Sequence, residues 1–458
     1  MSRRMGKPLC GLALSCAIGL IGGERAAWAQ SAPPPAAEPA PPSAPAPAPA
    51  TAPAAAPAPA AAPDTAAPAA ATPATPPPVE PAPVDAAPAA PAPSAFAPLK
   101  IETPNATVKL GLLAQPQYEA IGTPNPALSG ASQNLYLRRI RLLVGGTLFK
   151  NFEYFFDTDS PNLGKANATT GAKNILGMNV QDAFVTFKAV DDMLKIDAGY
   201  MLPPLAHNAV QGAGTLYGWD YFANSFRHAS AFGSEGDVGR DAGVQLRGLV
   251  LDNHLEYRAG LFQGRRDAAS ATKVGSRNFF RFAARIQVNV LDAETGFFYA
   301  GTYLGAKHVL SFGASYDVQD SYKHWSVDGF LDMPLGPGGL TAQVNVAQWD
   351  GDDFLLGAPV GMPPVAPPAL PKQTAIMSEA GYRFDALQLS PILRFEHRNV
   401  NTPSAGAPTE DRFGAGLAYW PYGHNVNLKA FYTRIKPSDP AGLNGYNQFN
   451  LQWQVYLY

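Results

Sequence analysis

A membrane-crossing antiparallel β-barrel of about sixteen strands is the fold class this sequence predicts. Three observations carry the prediction. Residues 134–149 (NLYLRRIRLLVGGTLF) hold three arginines, too many for a membrane helix. At a period of two the same stretch places Ile140, Leu142 and Val144 on one face and Arg139, Arg141 and Gly145 on the other. That is the pattern of a strand with lipid on one side and water on the other. Comparable alternation recurs in about sixteen stretches, and the connections between them alternate short and long.

Composition agrees. Charged residues make up only 15% of the 458-residue chain and aromatics 10%, as suits an all-β protein with half its surface in lipid. The net charge of −2 points to no global attraction for nucleic acid.

Residues 1–29 read as an export signal. Arg3, Arg4 and Lys7 precede an apolar run at 9–21 that is too short to span, and Ala27-Trp28-Ala29 supplies the small-x-small cleavage pattern. Both cysteines, Cys10 and Cys16, fall inside it, so the exported chain would hold no disulfide. Residues 30–98 are almost entirely Ala and Pro, with Glu38, Asp64, Glu80 and Asp85 as the few charges. Such a segment buries too little to fold, and stays semi-rigid, reaching on the order of 200 Å when extended. It suits a periplasmic spacer with possible cell-wall contact, or a plain tether.

The barrel domain is expected over 99–458. Its strands are predicted at 107–119, 134–148, 151–158, 179–188, 193–201, 240–250, 254–263, 278–290, 307–316, 322–332, 339–349, 373–383, 386–398, 411–420, 424–435 and 446–458. Phe280, Phe282, Ala284, Ile286, Val288 and Val290 share one face, opposite Arg281, Arg285, Gln287 and Asn289. Phe449, Leu451, Trp453, Val455 and Leu457 oppose Asn450, Gln452 and Gln454. Backbone groups in lipid must all be paired, so such a sheet closes on itself. Connections at 149–151, 190–192, 252–253, 384–385 and 421–423 are tight, and most of the others are longer and polar. Two break this rule: 291–306 is long where a turn is due, and 317–321 is short where a loop is due. Tyr456 and Tyr458 fall out of phase with Trp453, Leu451 and Phe449, which suggests one extra residue or a bulge in the last strand.

The longest connection, 202–239, follows the fifth strand and carries Trp219, Asp220, Tyr221 and Phe222, together with Arg227 and His228. So many aromatics need shelter, and the lumen is the nearest, so the loop is expected to fold inward and constrict the channel. Alternation assigns Arg139, Arg141, Lys195, Arg247, Arg258, Arg281, Arg285, Arg383, Arg394, Arg398, Arg412 and Lys429 to the lumen. Against these twelve cations stand seven acids: Glu153, Asp157, Asp197, Asp241, Glu256, Glu379 and Glu396. A guanidinium-rich pore favours anions, although lumenal arginines also brace walls by pairing with acids. The best candidates for pore-lining anion ligands are Arg139, Arg141, Lys195, Arg227, Arg247, Arg258, Arg281, Arg285 and Arg394. Arg138, on the lipid register, is expected to snorkel to a membrane surface. No G-x-S-x-G, P-loop or H-E-x-x-H is present, and the histidines are scattered, so no enzyme, cofactor or metal is implied.

LRRIRLLVGGTLFKNFEYFFDTD (137–159) resembles the second and third strands of the phosphate-selective porin O/P family of Gram-negative outer membranes. The shared pattern is an Arg-Arg-x-Arg strand, a Gly-Thr-Leu turn approach and an aromatic-acidic strand. QDAFVTFKAVDDMLKIDAGYMLPPL (181–205) is similar to the following hairpin and the start of the constriction loop, and GTYLGAKHVLSFGASYDVQ (301–319) to another recurring segment. The resemblance spans about residues 107–458. It implies a sixteen-stranded homotrimeric porin of the outer membrane, in contact with its lipid, passing small anions such as phosphate. The Arg139–Arg141 strand and the 202–239 loop would be its channel wall and constriction. That loop departs from the pattern in carrying no lysine, only Arg227 within it and Arg240 at its end. The competing readings are a non-selective general porin with structural arginines, and an envelope protein tethering membrane to cell wall through the Ala-Pro arm.

Overall fold

The computed structural model describes residues 98–458 except 169, 176, 226–238, 267–271, 273, 276–278, 352–369, 404–406 and 439–441. The expected export signal and all but the last residue of the Ala-Pro arm lie outside the described residues, as do Arg227 and His228.

The described chain forms seventeen strands: β1 (Leu99–Thr103), β2 (Ala106–Gly122), β3 (Ala131–Leu148), β4 (Phe152–Asp159), β5 (Asn179–Val190), β6 (Leu194–Met201), β7 (Asp241–Val250), β8 (Leu255–Phe262) and β9 (Arg281–Asn289), then β10 (Val309–Gln319), β11 (Tyr322–Pro334), β12 (Gly338–Gly351), β13 (Leu370–Phe384), β14 (Leu389–Val400), β15 (Thr409–Tyr422), β16 (Val426–Ser438) and β17 (Tyr446–Leu457). Each of β2–β17 pairs antiparallel with its sequence neighbours, and β17 returns to β2 (Gln448↔Ile121 through Leu457↔Leu112), closing a ring of sixteen. All sixteen expected strands are present. The seventeenth, β1, is too short to show alternation. It pairs with β2 (Leu99↔Leu110 through Thr103↔Ala106) on the edge of β2 that β17 leaves uncovered.

Period-two burial runs round the ring. Outward side chains such as Leu135, Val185, Leu261, Ile286, Phe312, Leu393 and Trp453 are exposed, while inward neighbours such as Gln117, Arg281, Asn345 and Gln452 are buried. Water would not tolerate an apolar belt of this extent on a monomer, and lipid does. The two irregular connections leave the count intact. Gln319 pairs with Tyr322 across a two-residue turn in which Asp320 takes a left-handed φ of 53°. The 290–308 connection is long because it enters the barrel.

The last strand contains no bulge, contrary to the expectation. β17 keeps one register against both β16 and β2 to its end. Tyr456 and Tyr458 are in phase with Gln452 and Gln454 and point into the lumen, where they pack against Leu113, Leu143 and Ala213. Gly111 and Gly145 make the room: a Cβ on either would run into the Tyr458 ring. Gly145→Val should therefore cost about 1–3 kcal/mol by overpacking, read as a lower temperature of heat-modified mobility on gels.

Candidate functional site

Residues 202–225, the described part of the connection after β6, run inside the barrel. Irregular backbone there closes only a few local turns on itself, such as Ala209 N–H to Ala206 O, so many of its remaining polar groups take donors and acceptors from the wall. The wall supplies them from nearly every side. Leu205 O accepts from Arg285 Nη1 (3.1 Å), and the His207 N–H donates to Asp328 Oδ2 (3.1 Å). Asn208 N–H donates to Asn345 Oδ1 (3.3 Å), and Gln211 Nε2 to Gln343 Oε1 (3.0 Å). Gly214 O accepts from Gln454 Nε2 (2.8 Å), and Leu216 O and Gly218 O accept from Lys429 Nζ (2.6 and 3.0 Å). Asp220 O accepts from Arg394 Nη2 (2.8 Å), and Ala223 N–H donates to Glu396 Oε2 (2.9 Å). A side chain at Gly218 would collide with the Arg394–Glu379 pair.

The four loop residues singled out by sequence are the anchors of this arrangement. Phe222 sits in a buried cluster with Tyr322, Trp349 and Met377, and Trp219 packs on a second cluster of Tyr217, Ile392 and Trp420. The Tyr221 hydroxyl donates to Gln211 O (2.7 Å), and its ring faces Arg139 at 5.4 Å. Asp220 takes Arg138 Nε at 2.7 Å and Arg139 Nη2 at 2.5 Å.

Two consecutive arginines on a strand normally point to opposite faces. Here the β2–β3 register shifts between Gln115 and Pro116: Gln115 opposes Arg139, Pro116 opposes Leu137, and Arg138 is left as the extra residue of a bulge. Proline has no N–H for the ladder, which is why the break falls there. Arg138 thus turns inward to Asp220 instead of snorkelling to the membrane surface as expected. Burial alone would raise the Asp220 pKa, but the Arg138 and Arg139 guanidiniums outweigh it and hold the carboxyl well below the usual range.

The other candidate cations among the described residues are brought to the lumen, and each is paired; Arg227 lies outside the described residues. Arg141 meets Asp157 (3.3 Å) and Asp159 (3.0 Å), Arg281 meets Asp317 (2.6 Å), and Arg285 meets Asp328 (2.6 Å). Lys195 holds Asp192 (2.5 Å), Arg247 holds Asp197 (2.8 Å), Arg258 holds Glu256 (2.7 Å), and Arg394 holds Glu379. Five of the lumenal cations form one row, since Lys188, Lys195, Arg247, Arg258 and Arg285 oppose one another in turn across β5 to β9. Opposed like charges destabilise a sheet, and one carboxylate beside each of them offsets this. Counting every buried charge among the described residues gives fifteen carboxylates to eleven cations. Among these buried charges the basic excess expected from alternation is not found. Asp159, Asp182, Asp220, Glu294, Asp317, Asp328 and Asp332 are among the acids it missed.

A second segment enters from the opposite mouth. Residues 290–308 rise from the tight-turn rim and meet the first segment edge to edge. Tyr299 N–H donates to Val210 O (3.0 Å), Gly212 N–H to Tyr299 O (2.9 Å), and Gly301 N–H to Thr215 O (3.1 Å). Side chains join them as well. His207 Nε2 lies 2.8 Å from Glu294 Oε2, and the His207 ring stacks between Tyr299 and Phe330. Burial works to raise the Glu294 pKa, but His207 opposes it and leaves the carboxyl below its ordinary value. Arg258 caps the chain at Phe297 O (2.7 Å) and Gly296 O (3.1 Å). Sequence offered no sign of this contact, because His207 and Glu294 sit in connections without periodicity. Among the described residues no cluster of His, Cys, Asp or Glu is arranged to hold a metal ion.

Residues 110–338, half of the chain, match the family described as phosphate-selective porin O and P. The chain belongs to that family. It is an outer-membrane channel protein of porin type. No curated protein matches its sequence. Its fold is similar to that of the outer membrane channel DcaP of Acinetobacter baumannii (12% identity, TM-score 0.49, covering 79% of this chain and 99% of that one). It is similar also to OmpF of Salmonella typhi in complex with daunomycin (12% identity, TM-score 0.49, 78% and 100%). The trimer form of OmpT of Vibrio cholerae is a third (12% identity, TM-score 0.43, 77% and 99%).

Asp220→Asn should release the first segment, since removing one partner of a buried pair costs about 3–5 kcal/mol. Faster hydrogen exchange and proteolysis confined to 202–225 would register it. Because the folded pKa of Asp220 is depressed, its stabilisation is complete above the unfolded value near ~3.9 and fades as pH falls below it. Native exchange of 202–225 should accordingly be flat above about pH 5 and rise only in stronger acid.

Proposed function

We propose that the porin is a passive diffusion channel for small hydrophilic solutes, constricted by the 202–225 and 290–308 segments and only weakly selective for charge. The observation that carries this is the pairing of the described candidate arginines with carboxylates, against a background of more buried acids than cations. A paired guanidinium has little field left for a passing anion and acts mainly as a brace. The sequence-based alternative, a preference for small anions with phosphate foremost, draws its support from the family description and from the arginine content itself. Residues 1–29 are proposed as the export signal and 30–98 as a periplasmic arm, with contact to the cell wall as its further possible role. The assembly proposed is a homotrimer in outer-membrane lipid. No catalytic activity is proposed.

Reversal potentials in planar bilayers under a potassium chloride gradient test the selectivity. The expected permeability ratio of anion to cation lies within about twofold of unity, because paired lumenal charges cancel at channel distances. A strong anion preference, together with block by millimolar phosphate, would restore the alternative.

A further inference from the structure

We propose that the mouth on the tight-turn rim contains a binding site for small aromatic carboxylates. This deepens the channel reading, because it names a solute class for that mouth and rests on the mouth being open to solute.

The site is a cavity of about 620 Å³ between the ends of β1–β7 and the tip of the 290–308 segment. Its floor is aromatic. Phe155, Phe184, Phe297, Phe298 and Tyr458 line it, with Phe155 edge-on to Phe298 (5.3 Å) and to Tyr458 (5.7 Å), and Phe184 against Phe297 (4.3 Å). Phe297 and Phe298 remain only half-buried, an apolar surface facing the water of a charged lumen. Surface of that kind favours a partner that covers it.

The walls are cationic. Lys100 and Lys109 lie directly opposite each other on β1 and β2 and both line the cavity. Opposed like charges on one face are unfavourable unless something negative lies between them. Lys100 has Glu102 beside it on its own strand, whereas Lys109 has no carboxylate partner among the described residues. On the far wall stand Lys195 and Arg247, another opposed pair. The two lining acids, Glu153 and Asp192, are already engaged by Lys188 and Lys195.

A ligand matching these features has a planar apolar body for the floor and one anionic end for Lys109. Inorganic phosphate would meet the amines and leave the rings wet. A neutral aromatic would cover the rings and leave the opposed lysines unrelieved. An aromatic carboxylate does both.

Calorimetric titration of the full chain in detergent tests this with three probes: sodium benzoate, sodium phosphate and benzyl alcohol. Benzoate should bind at least about tenfold more tightly than either of the others. Lys109→Gln and Phe298→Ala should each weaken it about fivefold, while Lys323→Gln on the opposite rim leaves it unchanged. Lys109 is exposed, so its variant keeps the fold, as unchanged heat-modified mobility would verify. Phosphate or benzyl alcohol binding as tightly as benzoate overturns the proposal, and so does wild-type affinity in Lys109→Gln. Bilayer recordings separate this failure from failure of the channel reading. Ion conduction without benzoate binding removes the site and keeps the channel, whereas benzoate binding without conduction removes the channel and keeps the site.

Discussion

Everything inside this barrel depends on one constraint: backbone that leaves the sheet and enters the lumen must still pair its N–H and C=O groups. The 202–225 segment has two short 3-10 turns and little other regular structure, so the wall must supply the partners. Arg285, Arg394 and Lys429 donate to its carbonyls, and Asp328, Asn345 and Glu396 accept from its amides. The three cations are long side chains with several donors each, well suited to reaching an irregular strand of chain from a fixed wall. The lumenal charges that look like a conduction pathway are, in large part, the mooring of a loop.

Mooring by arginine requires neutrality, whereas Lys429 is held by the carbonyls of Leu216 and Gly218. A guanidinium taken out of water without a counter-charge would cost several kcal/mol, and the acids that compensate are packed within hydrogen-bond distance. The row from Lys188 to Arg285 shows how far this goes, with five opposed cations and a carboxylate beside each one. Unsatisfied cationic character remains at the mouth, around Lys109, where solvent makes it less costly.

The sheet was legible because each strand reports both faces at once. β9 alternates Arg281, Arg285 and Gln287 with Phe282, Ile286 and Val288, and the repetition of such faces round sixteen strands suits lipid outside and water within. Asp317, Asp328 and Asp332 obey the same alternation on β10 and β11, so the signal for them was present. Phase errors are harder to see. A bulge at Pro116 turns Arg138 inward, and a second shift between Asp157 and Thr158 buries the consecutive residues Gln181 and Asp182. Pro116 in mid-strand was the one local clue, since a missing N–H invites a break there. The inward course of 202–225 could be inferred from its aromatics. Its pairing with 290–308 could not, because a contact such as His207–Glu294 spans connections with no periodic pattern and exists only once both have entered the barrel.

The seam where β17 meets β2 has a consequence for assembly. Gln115 on β2 donates to Gln454 on β17 (2.8 Å), across a separation of 339 residues, and both amides also reach the inserted segment at Ala213 O and Gly214 O. Joining the two ends of the chain is the ring's most non-local contact and so its slowest kind of step. Those same two side chains complete the mooring of the loop, so ring closure and loop capture share their last bonds. A chain whose loop is still outside lacks part of the seam's support, which couples the correctness of the lumen to the completion of the wall.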